Sequence, residues 1–258
     1  MLVFPQLMSG AVAQYPLEKR RRTRSTMVRT EGGSWYTRHD AGADAVEWTL
    51  HYSDLDAQQA ERLETFFAEA EGRLRTFVFV DPLANLLRWS GDLTQGVWEK
   101  GLTGVGASAQ TDPRGGQEAF VLTNGSAGQT GIAQTVAGPL GYRYAGSVWV
   151  RGAVGTKVWL KLGETAAEFA VSGQWRRCQA TAVAGGSAGV RWALELGPGG
   201  TCEVFGPQLE AQRAAGGYQA SGGESAVYSS ARFDQDELEW VVEGPEQFGT
   251  QVRIRSRS

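Results

Sequence analysis

Between residues 54 and 80 the spacing of apolar positions changes once, and that change defines the first elements. Ala60, Leu63, Phe66, Phe67, Ala70 and Leu74 recur every three or four residues, which gathers them on one stripe of a helix over residues 56–71. Asp56 is placed to accept from the first free amides. Gln59 follows at capping-box spacing, and Gly72 offers a left-handed residue to end the helix. Thr76, Val78 and Val80 then alternate with Phe77 and Phe79, a strand with bulky residues on both faces, until Asp81-Pro82 breaks it. Upstream, Val46, Trp48, Leu50 and Tyr52 alternate with Ala45, Glu47, Thr49 and His51, a period of two with the first set facing a core. An amphipathic stripe needs a sheet to cover, so an α+β domain with one main helix is expected here.

From Asn85 to about Tyr218 no helical stripe occurs. Short strands separated by Gly, Ser and Asn are predicted at residues 118–123, 142–151, 157–162, 174–183, 189–196 and 201–206, the spacing of an antiparallel β-sandwich or jelly roll. Val158, Leu160 and Leu162 fit its core face, as do Val148 and Val150, which leaves Trp149 and Trp159 on outer faces. From Gly222 onward, Ala231, Phe233, Leu238, Trp240 and Val242, then Val252 and Ile254, predict strands that complete the sheet begun before residue 85, with Pro245 and Gly249 turning the chain between the last two. The expected organisation is mainly β: residues 1–84 plus 222–258 as one domain, with residues 85–221 inserted as a sandwich.

Length and composition agree with this division. A chain of 258 residues with 35 glycines and 10% aromatics suits two domains of short strands and tight turns. The formal charge of -3 argues against nucleic acid as a bulk partner. No apolar run approaches the length of a membrane span. The proline inside the apolar run of MLVFPQLMSG, and the arginines that follow that run, do not fit a secretory signal, so a soluble, cytosolically made chain is expected. Cys178 and Cys202 fall in predicted strands of one domain and could approach each other. Two cysteines make no disulfide framework, and reduced, buried thiols are the favoured reading.

Candidate chemistry is sparse. With only His39 and His51, and no CxxC pair, no metal-ligand spacing occurs and no zinc is expected. No phosphate-cradling pattern appears, since GLTGVG at residues 101–106 lacks a following helix, and neither histidine lies near a nucleophile turn. Glu164, Glu168, Glu195 and Glu203 remain open as a carboxylate pair only because distant strands can bring two together. No cofactor is implied, and a non-enzyme is expected. What remains is surface. Outward aromatic rings on a sandwich can stack on the apolar face of a sugar, so Trp149 and Trp159 form the candidate carbohydrate site, with Tyr144 and Arg151 as neighbours. The competing reading packs those rings at an interface. The basic run Lys19, Arg20, Arg21, Arg22 and Arg24 reads either as a nucleic-acid address or as a solvated strand edge or subunit contact with acidic partner residues. The acidic remainder of the chain favours the second.

Two stretches resemble known families. Residues 4–82, from FPQLMSGAVAQYPLEKRRRTRS through the W-x-L-x-Y strand, the helix containing FF and the GR…F-x-F-x-DP strand, resemble the N-terminal domain of tailed-phage distal tail proteins. Residues 85–220, with NLL at their start, YRYAGSVWVRG in the middle and GPQLE toward the end, resemble carbohydrate-binding-module-like jelly rolls inserted in phage tail and fibre proteins. The resemblance implies a structural virion protein at the distal end of the tail. It implies a homo-oligomer, a hexameric ring joining tail tube protein to hub or fibre proteins, with ring contacts around residues 15–30 (Arg20, Arg21, Arg22, Arg24) and on the helix. It further implies an inserted module that attaches to host cell-surface glycan. The alternatives are a spacer insert, or a stand-alone polysaccharide-binding protein or glycan-degrading enzyme whose jelly roll is the active part.

Overall fold

The computed structural model describes residues 1–185 and 189–257, and the chain divides into two compact units. The first comprises Met1–Met8, Val12–Phe79 and Tyr228–Ser258, the second Ser9–Ala11 and Val80–Val227. Strands are numbered in chain order.

In the first unit, β1 (Leu2–Val3), β2 (Leu17–Arg22), β5 (Ala45–Leu55), β6 (Phe77–Val80), β16 (Val227–Phe233) and β18 (Gln247–Arg257) form a sheet ordered β1-β6-β16-β18-β5-β2. Strand β17 (Trp240–Gly244) pairs with β18 off this path, and β3 (Ser25–Arg29) and β4 (Trp35–His39) form a two-stranded sheet. Strand β18 runs antiparallel to β5 with Val252 opposite Leu50 and Ile254 opposite Trp48, which builds the C-terminal strand into the middle of the sheet. Val46, Trp48, Leu50 and Tyr52 are all buried, as their alternation requires.

Helix α1 (Ala57–Ala70) buries Ala60, Leu63, Phe66 and Ala70. The Asp56 carboxylate accepts from the Gln59 amide at 2.8 Å, so the N-cap is local. The C-cap differs from expectation: Glu71 itself is left-handed (φ 52°) and Gly72 follows it. The helix therefore stops one residue early, and Leu74 is 67% exposed beyond its end instead of completing the stripe. Phe66 meets Phe4 and Phe77 edge-on at 5.6 and 5.1 Å, and Phe233 meets Phe77 at 5.0 Å. Each such pair adds about 0.5–1.5 kcal/mol beyond its buried area. Val242 is exposed in β17 instead of joining this core, and the turn before β18 lies at Pro245 and Glu246 (φ 58°), with Gly249 inside β18.

The second unit holds two antiparallel sheets. Five strands run in the order β13-β10-β15-β8-β7 and four in the order β12-β11-β14-β9. They are β7 (Thr103–Ala107), β8 (Phe120–Asn124), β9 (Thr130–Val136), β10 (Arg143–Gly152), β11 (Lys157–Leu162), β12 (Thr165–Ala170), β13 (Arg176–Val183), β14 (Val190–Leu196) and β15 (Thr201–Glu210). Leu122, Tyr144, Val148, Val150, Val158, Leu160, Leu162, Trp192 and Leu194 are buried to within about a percent between the sheets. At Gly146 the sheets approach so closely that an added Cβ would lie 2.6 Å from Leu162 Cδ2 and 3.1 Å from Trp192 Cδ1. Strands β7, β9 and β12 are not predicted by the sequence pattern, and the glycine-rich stretch considered for anion binding is β7. Cys178 and Cys202 are free and buried on strands either side of β10, opposite Val148 and Gly152. Burial raises their thiol pKa values to about 11 and about 12.

Candidate binding face of the sandwich

Strand β10 supplies the centre of the site. Its even-numbered residues Tyr144, Gly146, Val148 and Val150 point between the sheets, and its odd-numbered residues Ser147, Trp149 and Arg151 point to the outer face. Register then sets the neighbours. On one side Arg177 of β13 is directly opposite Trp149 and Gln179 is opposite Ser147. On the other, Phe205, Glu203 and Gln208 of β15 stand opposite Trp149, Arg151 and Ser147.

Between these pairs one residue of β10, Val148, faces two of β15, Gly206 and Pro207, and the extra residue is accommodated at Gly206 (φ 61°). Glycine is required there twice over, because the Tyr218 ring lies across the bulge and an added Cβ would stand 3.0 Å from it. Phe205, Tyr218 and Ala119 make a small cluster on which half-buried Trp149 and Trp175 pack. The Trp175 indole N–H donates to the Thr111 carbonyl at 3.0 Å, which tethers that ring.

Arginines are interleaved with the rings. Arg151 stacks on Trp175 at 4.7 Å and donates through Nε to Glu203 at 2.6 Å. Arg177 donates through Nη2 to Ser147 Oγ and the Gly216 carbonyl, and Arg114 lies 4.9 Å over Tyr218. Among the described residues, Arg151 Nη2 and Arg177 Nε are buried with no partner. The carboxylates on this face are occupied. Burial pushes Glu203 up, but its bonds from Arg151 and Ser108 prevail and hold it below the usual value. Glu210 is raised: burial outweighs its bonds from Gln208 and the Gly216 amide and the nearby Arg177 charge. Asp112 accepts from the amides of Arg114, Gly116 and Glu118. Part of the face is closed by the chain after β15, since Gln208 Oε1 accepts from the Gln219 amide and its Nε2 reaches the Gly217 carbonyl.

The candidate residues thus separate. Trp149 and Arg151 belong to this face. Tyr144 does not: it is fully buried between the sheets, its hydroxyl donating to the Pro139 carbonyl at 3.0 Å, and burial raises its pKa. Trp159 lies on the outer face of the other sheet, so the two tryptophans form no common platform. There Glu168 and Glu195 flank it on both neighbouring strands, its N–H donates to Glu168 at 3.1 Å, and Lys157 and Lys161 pair with those carboxylates. The four glutamates considered as a catalytic pair are distributed accordingly. Glu168 and Glu195 pair with lysines, Glu203 pairs with Arg151 on the opposite face, and Glu164 is exposed in the turn before β12.

Trp175, Arg177 and Phe205 are not among the sequence candidates, although the alternation through Trp175, Arg177 and Gln179 carries the signal for two of them. In the first unit, Arg20, Arg21 and Arg22 lie exposed on β2, the last strand of its sheet. Arg22 reaches Glu47 at 3.1 Å, and Arg24, just beyond β2, pairs with Asp40.

The second unit is a jelly-roll β-sandwich with an aromatic and arginine-lined outer face. Solved structures similar to the chain include a family 61 carbohydrate-binding module in complex with beta-1,4-galactotriose (18% identity, 49% of this chain and 97% of that one, TM-score 0.37). Others are the CBM22-1 xylan-binding domain of Paenibacillus barcinonensis Xyn10C (14%, 52% and 97%, TM-score 0.42) and the enzymatically active domain of bacteriophage CBA120 tailspike protein 4 (11%, 50% and 22%, TM-score 0.38). At these values the likeness concerns architecture over about half of the chain, and no ligand follows from it. No protein-family description matches the sequence, and no curated protein does.

Proposed function

We propose that this chain is a non-enzymatic structural protein of a phage tail tip, located at the distal end of the tail, whose sandwich unit attaches to host-surface glycan. The observation that carries the glycan half is the outer face of the five-stranded sheet, where two half-buried indole rings stand among guanidinium groups with unused donors. Rings of this kind present a flat apolar surface to a pyranose, and the polar groups beside them can bond its hydroxyls. The reading rests on that face and not on the ligands of similar structures.

The tail-tip half rests on the resemblance of residues 4–82, and the first unit supports it with surface suited to subunit contact. Strand β2 is a basic edge strand, and hairpin β3–β4 exposes Met27, Val28, Trp35 and Tyr36. The ring, the tube and the hub or fibre partners belong to this proposal.

Light scattering on the purified chain, with electron microscopy of the same peak and of virions, tests the ring. A closed assembly near six copies, found at the tail tip, is expected. A chain that is only a dispersed monomer, absent from the tail tip, overturns it and leaves the stand-alone polysaccharide-binding alternative. Host adsorption unchanged by Trp149→Ala makes the sandwich a spacer.

A further inference from the structure

The donor inventory of the same face narrows its ligand, and this step rests on the glycan reading above. We propose that the sugar bound there carries a carboxylate, as in a uronic-acid residue of an acidic polysaccharide. A guanidinium has five N–H donors and no acceptor. Among the described residues, Arg151 donates through Nε to Glu203 and Arg177 through Nη2 to Ser147 and Gly216, while Arg151 Nη2 and Arg177 Nε are buried without a partner. Unpaired buried donors on charged groups are costly, and the strongest relief is an anionic acceptor met in a fork.

A sugar hydroxyl would bring its own proton, which also needs an acceptor. Two of the carboxylates placed to take it accept on both oxygens, Glu203 from Arg151 and Ser108 and Asp112 from three amides, and Glu210 already holds Gln208 and Gly216 on one oxygen. An acceptor-only group answers the unpaired guanidinium donors without asking this crowded set of carboxylates for a further bond.

Position agrees with this assignment. Arg177 is directly across from Trp149, and Arg151 is two residues further along β10, so the two guanidinium groups flank the Trp149 ring on a diagonal. A pyranose stacked on Trp149 would present a ring carboxylate to either side. Because Trp175 lies over the Arg151 guanidinium, a carboxylate reaching Nη2 displaces that ring, and binding should change tryptophan emission.

The test is calorimetry and tryptophan fluorescence on the full chain. The probes are oligogalacturonate, alginate and hyaluronan fragments, each paired with its methyl ester, with neutral xylo- and galacto-oligosaccharides and dextran sulfate beside them. The acidic member of at least one pair should bind about tenfold or more tightly than its ester, with an emission change and weakening in salt. That preference should vanish in Arg151→Gln and Arg177→Gln. Arg151→Lys, which keeps the charge without the fork, should lose most of it.

Acid and ester bound equally, with both weakened by Trp149→Ala, would overturn the carboxylate and leave the glycan reading standing. A neutral oligosaccharide bound in preference to every acidic one would do the same, as would dextran sulfate bound as tightly as the best uronate. No binding by any probe would overturn both. The comparison of acid with ester uses the unaltered chain, so it decides the question even where a variant fails to fold.

Discussion

Trp149 and Trp159 sit ten residues apart, each in an alternating strand, each pointing away from the sandwich core, yet their surroundings differ in kind. Around Trp159 every charge is matched across the strands: Glu168 takes the indole N–H and the Lys157 ammonium, and Glu195 takes Lys161. Around Trp149 the apolar neighbours are other rings, and two guanidinium groups keep donors unused. A completed set of pairs stabilises a surface and offers a ligand little. An incomplete set costs the isolated protein something and leaves interactions for a partner to make. An outward tryptophan thus acquires meaning from whether the polar groups beside it are already satisfied.

The contrast can be broken most strongly at the rings. Replacing Trp149 with Ala should cost about 1–3 kcal/mol of glycan affinity, by analogy with a stacked base, as read by calorimetry. Next is Glu203→Gln, which leaves the Arg151 charge short of a partner in a pair whose side chains are only 20% and 17% exposed. A loss of about 1–2 kcal/mol of stability in urea unfolding is expected, below the ~3–5 kcal/mol of a fully enclosed pair because solvent still reaches this one.

The third effect is pH dependence, and here the two glutamates of the face oppose each other. Glu203 is held below its ordinary 4.5, so its contribution is present above 4.5 and is lost as pH falls toward its folded value. Glu210 is raised above 4.5, so its contribution is present below 4.5 and is lost as pH rises through its folded value. Unfolding titrations between about pH 3 and 7 should therefore lose stability at the acid end less steeply in Glu203→Gln, and at the neutral end less steeply in Glu210→Gln. Smallest is Trp159→Ala: stability should shift by no more than about 0.5 kcal/mol and glycan affinity not at all. A loss of binding there equal to that of Trp149→Ala would dissolve the distinction between the faces.

Much of the fold is legible in local pattern. The helix, β5, β6 and the strands of the sandwich with strict alternation are predicted within a few residues, because burial on one face writes a period of two or 3.6 into the chain. Strands β7 (TGVGA), β9 (TGIAQTV) and β12 (TAAEFA) escape that reading, since small and polar residues leave no such period. Sheet membership is not legible either. Strands β10 and β11 follow each other across a short glycine-containing turn, as a hairpin would, yet join different sheets. That choice depends on pairing with β13, β15 and β14, far along the chain, and it separates Trp149 from Trp159. Tyr144 is a different case, because the alternation that turns Val148 and Val150 inward turns Tyr144 inward as well and so already argues against a surface role. The unused donors of Arg151 and Arg177 have no counterpart in sequence at all, because they depend on which acceptors three dimensions bring near.

The two cysteines give the molecule an internal clock for the opening of a single unit. Both thiols are closed off inside the sandwich and hold their protons well above neutral pH, so an alkylating reagent finds almost no thiolate while that unit is shut. The first unit contains no cysteine. The rate at which label accumulates on native protein therefore counts transient openings of the sandwich, whatever the first unit is doing. Saturating the outer face with its ligand should slow that count in proportion to the affinity gained.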